Sequence, residues 1–527
     1  MVAKVGSGHP GAGRWLAAAA LPRVRDGALC EKDESMRAQV CVVGSGAGGA
    51  TIACELARRG HSVILLEEGT YRTGRDFTGD PVAMAALLQR NRGLTATAGP
   101  LVIPIPLGRC VGGTSVIGAG TSHRVPDAVL ERWASEHGVS GLGARELRPY
   151  YERAEQELGV AAVPDALYGR NGALLERGAA QLGHAGARVR RAAPGCLSTG
   201  VCEQGCPQDA KQGMHVSYVP RALAAGAILY THTRADQLLL SNGRVFGVKA
   251  SFLGNDDAPT GRALRVVADR VVVACGALLT PALLARSGVG GGSGQLGGNL
   301  RIHPSARVTA RFADEVRGWA EVPQSFAVSQ FLDEGIAIES HFVQPTELAL
   351  GLSAVGSAHA AIMARYPHLG SLLVQIGDEA SGTVRAGRRG FPLVRYQLAP
   401  VDGRRLLRGI ALAAEMLFAA GAVEVYPALR RRPVLRSVDE AIALRDADAA
   451  DDGLDLVAHH PMGTARMADD KQRGVTSAFG EVHDVRDLYV VDASLFPGST
   501  TVAPQTTIVA LALRTAQHVS DDLGAPL

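Results

Sequence analysis

"QVCVVGSGAGGATIACELARRGHSVILLEEG", residues 39–69, sets a strand, a glycine turn, a helix and a second strand in immediate succession. "VCVVG" is a short, wholly apolar run suited to a buried parallel strand, "ATIACELARRG" has helical spacing, and "SVILLE" is a second buried strand that ends in Glu67. Between them Gly44, Gly46 and Gly49 spell G-x-G-x-x-G, with Ser45 inside the turn. Gly44 permits the tight turn, Gly46 lets backbone approach a pyrophosphate, and Gly49 lets helix and strand pack closely. The amino end of the helix favours the diphosphate charge. Glu67, twenty-three residues beyond Gly44, is spaced to accept hydrogen bonds from ribose hydroxyls. The fold class is therefore α/β with a Rossmann-like dinucleotide site, and this unit alone does not separate NAD from FAD.

The rest of the chain narrows the classes. Its 527 residues suffice for two or more domains around a deep site. The net charge of +3, from 54 basic and 51 acidic residues, comes without a basic block and argues against nucleic acid as partner. No apolar run approaches the roughly 20 residues of a membrane-spanning helix. Residues 1–37 are rich in Gly, Ala, Arg and Pro, and "WLAAAALP" (15–22) lacks a convincing cleavage site, so we expect a flexible leader or short docking segment. Eight cysteines in a chain of this size do not form a disulfide framework; Cys41 and Cys54 read as reduced core thiols, and a cytoplasmic location is expected.

Further motifs follow in order. "GRCVGGTSVIGAGTSHRVP" (108–126) is a second glycine-rich loop; "ADRVVVACGALLTPALLARSGV" (268–289) reads as strand, turn and helix; "GGNLRIHP" (297–304) and "HHPMGT" (459–464) come next. "VRDLYVVDASLFPGSTTVAPQTTIVALALRTAQHV" (485–519) closes the series. Together they resemble the glucose-methanol-choline (GMC) oxidoreductases, FAD-dependent alcohol oxidases and dehydrogenases, over about residues 38–520, with long-chain-alcohol-oxidase-like bacterial members nearest in pattern. The resemblance implies FAD as cofactor. It assigns Gly112, Gly113, Thr114, Ser115 and Gly118 to the flavin loop, Asp492 and Ala493 to the ribityl chain, and Ala235, Pro504, Gln505 and Thr506 to further cofactor contacts. It also implies an FAD domain assembled from 38–130, 215–310 and 455–527, and an α+β substrate domain from 131–214 and 311–454, built on an antiparallel sheet. The local pattern agrees: "FAVSQF", "IAIESHFV", "LLVQIG" and "PLVRYQL" read as strands of a sheet that roofs the flavin. "RRLLRGIALAAEMLFAAG" places Leu406, Ile410, Ala413 and Leu417 on one helical face.

The family's reactive histidine opens H-x-x-G-T, a frame that fits His460-Pro461-Met462-Gly463-Thr464 and leaves His459 out. Alcohol oxidation removes a hydroxyl proton and sends hydride to flavin N5, and a neutral imidazole suits the proton. The family's usual His or Asn partner, which often opens Asn-Pro-x-x-Thr, is replaced here by Ala503, and the flavin loop's usual Asn by Gly118. Thr500, Thr501 or Thr506, or a polar group on the substrate, is the available compensation. An altered chemistry of the same fold (desaturation, isomerisation, elimination or reduction) is the alternative. Cys196, Cys202 and Cys206 stand at C-x5-C-x3-C before Pro207. We expect a structured loop there; iron–sulfur ligation, and with it an electron-transfer subunit, is the competing assignment. Apolar strands in the substrate domain favour a hydrophobic alcohol over a free sugar. Oxygen, a quinone or a protein is the expected electron acceptor.

Overall fold

The valine-rich strand of the first motif is apolar without alternation because both of its sides are covered. In the computed structural model, which describes residues 23–387, 391–449 and 453–524, Val40 and Val42 enter the core on the helix side, with Ile52, Leu56 and Leu513. Cys41 and Val43 enter the opposite core, with Val129, Trp133 and Phe252. Burial on both faces is what a parallel, doubly covered sheet demands.

This sheet has eight strands, ordered Val24–Asp26, Ile228–Thr231, Val63–Leu66, Glu34–Val43, Pro259–Val273, Arg244–Leu253 and Thr233–Ser241, with Leu488–Val490 also paired to Pro259–Val273. The strands around Glu34–Val43 run parallel, with Val40 opposite Val63 and Arg270 opposite Val40. Thr233–Ser241, Arg244–Leu253 and Pro259–Val273 form an antiparallel extension.

Two boundaries drawn from sequence need correction. The expected leader ran to residue 37, but Val24–Asp26 is an edge strand paired in parallel with Ile228–Thr231, and the next strand begins at Glu34. Backbone pairing, to which a Gly/Ala-rich composition is blind, orders this stretch. "WLAAAALP" lies outside the described residues. Residues 131–157, assigned by resemblance to the substrate domain, belong to the core of the nucleotide domain: Trp133 stacks on Phe496 with ring centroids 5.5 Å apart, and Tyr151 hydrogen-bonds Thr507 at 2.9 Å.

The second sheet is antiparallel and has seven strands: Glu424–Tyr426, Pro304–Arg311, Leu369–Ile376, Ile336–Ser340, Phe326–Val328 and Gly186–Arg188 in order, with Val457–Ala458 added to Pro304–Arg311. The expected strand "PLVRYQL" is not part of it; Pro392–Arg395 pairs with Thr383–Ala386 in a separate hairpin, with one further bridge from Arg395 to Ala98. Helix Pro400–Ala419 covers the sheet's apolar face and buries Leu406, Ile410, Ala413 and Leu417. Among the described residues, no helix is long and apolar enough to cross a membrane.

Candidate active site

A cleft of about 730 Å³ is lined by residues of both sheets. At its nucleotide end Gly44 takes φ +98°, and a Cβ on Gly49 would lie 1.9 Å from Gly44 O, so neither position admits a side chain. A Cβ on Gly46 would meet nothing within 4 Å. That open space lies at the amino end of helix Ala47–Arg58, whose first turn borders the cleft. A diphosphate fits there.

Glu67 is buried and fixed: its Oε2 accepts from Ser45 N (3.0 Å) and Ser45 Oγ (2.6 Å), its Oε1 from Gly69 N (2.9 Å). A carboxylate offers about four acceptor directions, so capacity for a ribose remains. Ser45 Oγ also accepts from Gly112 N at 3.0 Å, which locks the two glycine loops together. Gly113, Thr114, Ser115, Gly118, Ala235, Asp492, Ala493, Pro504 and Gln505 border the cleft. Asp492 holds the opposite wall by accepting from Gly276 N (2.9 Å) and Thr280 Oγ1 (2.6 Å). Three expected contacts stand back from the cleft. Gly49 packs on Gly44, Gly112 is a left-handed turn residue with φ +97°, and Thr506 pairs with Ser122 Oγ at 2.8 Å. This set of residues fits a flavin dinucleotide.

The flavin loop is held from beneath by a residue the sequence did not single out. Lys211 is buried, and its Nζ donates to Val116 O (2.5 Å), Gly118 O (2.6 Å) and Cys202 O (2.6 Å). Burial pushes this ammonium down to about 8. The cysteine run is thus a loop tied to the flavin loop. Cys202 Sγ accepts from Arg191 Nη2 at 3.2 Å, and all three thiols are free. Among the described residues, no group of three or more His, Cys, Asp or Glu is placed to hold a metal ion.

His460 borders the cleft, and its protonation follows from a chain of hydrogen bonds. Thr500 Oγ1 donates to Val502 O (2.7 Å), so it accepts from His303 Nε2 (3.4 Å). His303 Nδ1 is then an acceptor, and His460 Nδ1 donates its N–H to it (3.2 Å). Nε2 of His460 is left as the lone-pair nitrogen. Burial, with His303 and His459 beside it, holds His460 well below the ordinary 6.5, and burial alone takes His303 to about 3. Both rings are neutral. His303 itself adopts φ +55°, and Asp378 holds it there, accepting from Ile302 N (2.9 Å) and His303 N (3.2 Å). The strained backbone aims the ring.

The roof is set by strand alternation. Ile336 and Ile338, with Leu372, Val374 and Ile376, point into the core under helix Pro400–Ala419. Their neighbours Ala337, Glu339, Leu373 and Gln375 point into the cleft, joined by His341, Glu203 and Gln324. His341 Nε2 donates to Glu203 Oε1 at 2.9 Å, and His123 pairs with Glu339 at 2.9 Å. Of the apolar strand residues on which the expectation of a hydrophobic alcohol rested, Ile336, Ile338, Leu372, Val374 and Ile376 face the core, while Ala337 and Leu373 face the cleft. Glu203 arrives on the cysteine run, between Cys202 and Gln204. Alternation in "IAIESH" and "LLVQI" carried this signal; nothing local marked Glu203 or His303. Ala503 borders the cleft as a bare methyl, and a Cβ on Gly118 would meet only Thr114 O, at 3.6 Å. Both departures from the family pattern therefore open space at the site.

Comparison with known proteins agrees with this geometry. Family models described as GMC oxidoreductase match residues 84–305 and 378–512, and one described as an NAD(P)-binding Rossmann-like domain matches 42–80. The chain is 40% identical to an uncharacterized GMC-type oxidoreductase of Mycobacterium tuberculosis, over 92% of this chain and 76% of that protein. It is 28% identical to a long-chain-alcohol oxidase of Arabidopsis thaliana, over 91% and 66%. Its fold is similar to that of pyridoxine 4-oxidase from Mesorbium loti, with a TM-score of 0.68 and 20% identity over 91% and 99% of the two chains.

Proposed function

The chain belongs to the GMC oxidoreductase family, and from that premise we propose that it oxidises an alcohol to a carbonyl, with His460 as the base. FAD, the family's cofactor, supplies the acceptor for the hydride of the carbinol carbon when bound. The residues that would hold it are those of the two glycine loops, Glu67 and the stretch from Asp492 to Gln505. The observation that carries the proposal is the 3.2 Å contact between His460 Nδ1 and the buried His303 at the cleft wall. With Nδ1 donating to His303, Nε2 carries the lone pair, and His460, as a residue of the cleft wall, is able to take a hydroxyl proton.

A pH consequence follows. A base acts only when unprotonated, and burial lowers this one, so protonation is postponed to more acid solution. kcat/KM should stay flat as pH falls from 9 through the ordinary 6.5 of histidine, and decline only below it. A limb at or above that value in a pH series would remove His460 as the titrating base.

Ala503 favours a second reading, the same fold with altered chemistry. Ala503→Asn separates the two. An amide restored beside His460 adds one hydrogen bond to the substrate oxygen, worth about 1–3 kcal/mol in a closed site, so kcat/KM for alcohols should rise about tenfold. Anaerobic bleaching of the flavin band by an alcohol panel is the measurement. No gain, and no bleaching by the unmodified enzyme, would favour the altered chemistry.

A further inference from the structure

The roof over His460 holds polar groups for which removal of one proton has no use. Gln324 is only 6% exposed, borders the cleft, and its Oε1 has no hydrogen-bond partner among the described residues. Glu339 borders the same space beside His123, and Glu203 beside His341. An alkyl chain laid against these groups would leave a buried acceptor unfilled and strip water from two acidic side chains, both unfavourable. A hydroxyl both donates and accepts, and so satisfies an amide oxygen, a carboxylate or an imidazole.

The charges indicate that the ligand is neutral. Glu339 is met by His123, where burial opposes the ring's charge but the carboxylate outweighs it and raises the imidazole. Glu203 is met through His341, whose Nδ1 accepts from Arg307 Nη2 at 3.4 Å. Glu339 thus faces the His123 ring and Glu203 the Arg307–His341 pair, so neither stands alone to select an ammonium group. Ala503 and Gly118 add room without adding a polar partner.

We propose that the substrate is a neutral polyhydroxylated alcohol: one hydroxyl faces His460, and another is received by Gln324 and the Glu339–His123 pair. This rests on the alcohol oxidation proposed above. It departs from the long-chain alcohols named for one relative, because Glu339 and Gln375 share the cleft-facing strand positions with Ala337 and Leu373, and Gln324 brings an unfilled acceptor beside them.

A six-carbon series tests it: 1-hexanol, 1,2-hexanediol, 1,6-hexanediol and glucitol, each titrated anaerobically into the FAD-loaded enzyme. Binding is read from perturbation of the flavin spectrum and turnover from its bleaching. The best polyol should exceed 1-hexanol at least tenfold in kcat/KM. That ratio should fall below threefold in Gln324→Leu and, as a variant closer in shape to the original, in Glu339→Gln. Equal or better use of 1-hexanol, or a ratio unmoved in both variants, would overturn the polar subsite while leaving alcohol oxidation standing. Polyols that perturb the spectrum but never bleach it would retire alcohol oxidation and leave the subsite. Absence of any polyol binding overturns the subsite outright.

Discussion

In His460→Ala, alcohol-driven bleaching of the flavin is expected to slow by about 10²–10⁴-fold, the usual contribution of a positioned base, while the protein retains its cofactor. His459 is held down to about 4 by burial, but its sequence position is out of frame, and His303 is wholly buried. The substitution also leaves His303 Nδ1 without its donor, so some stability is lost; His460→Gln retains an amide in that region and separates the two effects. Both variants should be slow, and His460→Gln should unfold at the higher temperature. Bleaching at the unmodified rate in a flavin-replete His460→Ala would exclude the imidazole from the reaction.

Lys211→Met is expected to cost more in structure than any change at the cleft surface. Three carbonyls would lose their donor together, from Val116, Gly118 and Cys202. Each abandoned buried acceptor costs about 1–3 kcal/mol. The charge itself resists burial, so its removal returns part of the loss, and a net destabilisation of about 3 kcal/mol remains. Two of the carbonyls belong to the flavin loop and one to the loop that carries Glu203, so cofactor occupancy should fall as well. The ratio of flavin to protein absorbance and the unfolding temperature are the measurements. Values equal to those of the unmodified protein would show that Lys211 is dispensable to the loop.

What was legible in the sequence was local. The turn from Gly44 to Gly49 could be interpreted because strand, glycines and helix lie within one short stretch and each has a steric reason. The frame that singled out His460 includes Gly463, where φ is +88°. The relay from Thr500 through His303 to His460 joins residues up to 197 positions apart, and no spacing rule reaches that far. Lys211 was hidden for a similar reason, since a lysine within a polar loop reads as solvated until the carbonyls around it are known. Residues 131–157 were misassigned because an amphipathic helix does not state which core receives its apolar face.

The alternation of Ile336–Ser340 and Leu369–Ile376 has one more consequence. A one-residue slip would carry Glu339 into the core and Ile338 into the site, so folding correctly and presenting the correct roof are a single event. Once the register is set, the two faces are free of one another. Ala337, Glu339, Leu373 and Gln375 can be exchanged while Ile336, Ile338 and Val374 keep their contacts beneath helix Pro400–Ala419. Such a sheet allows descendants of one ancestor to drift between substrates without relearning how to fold.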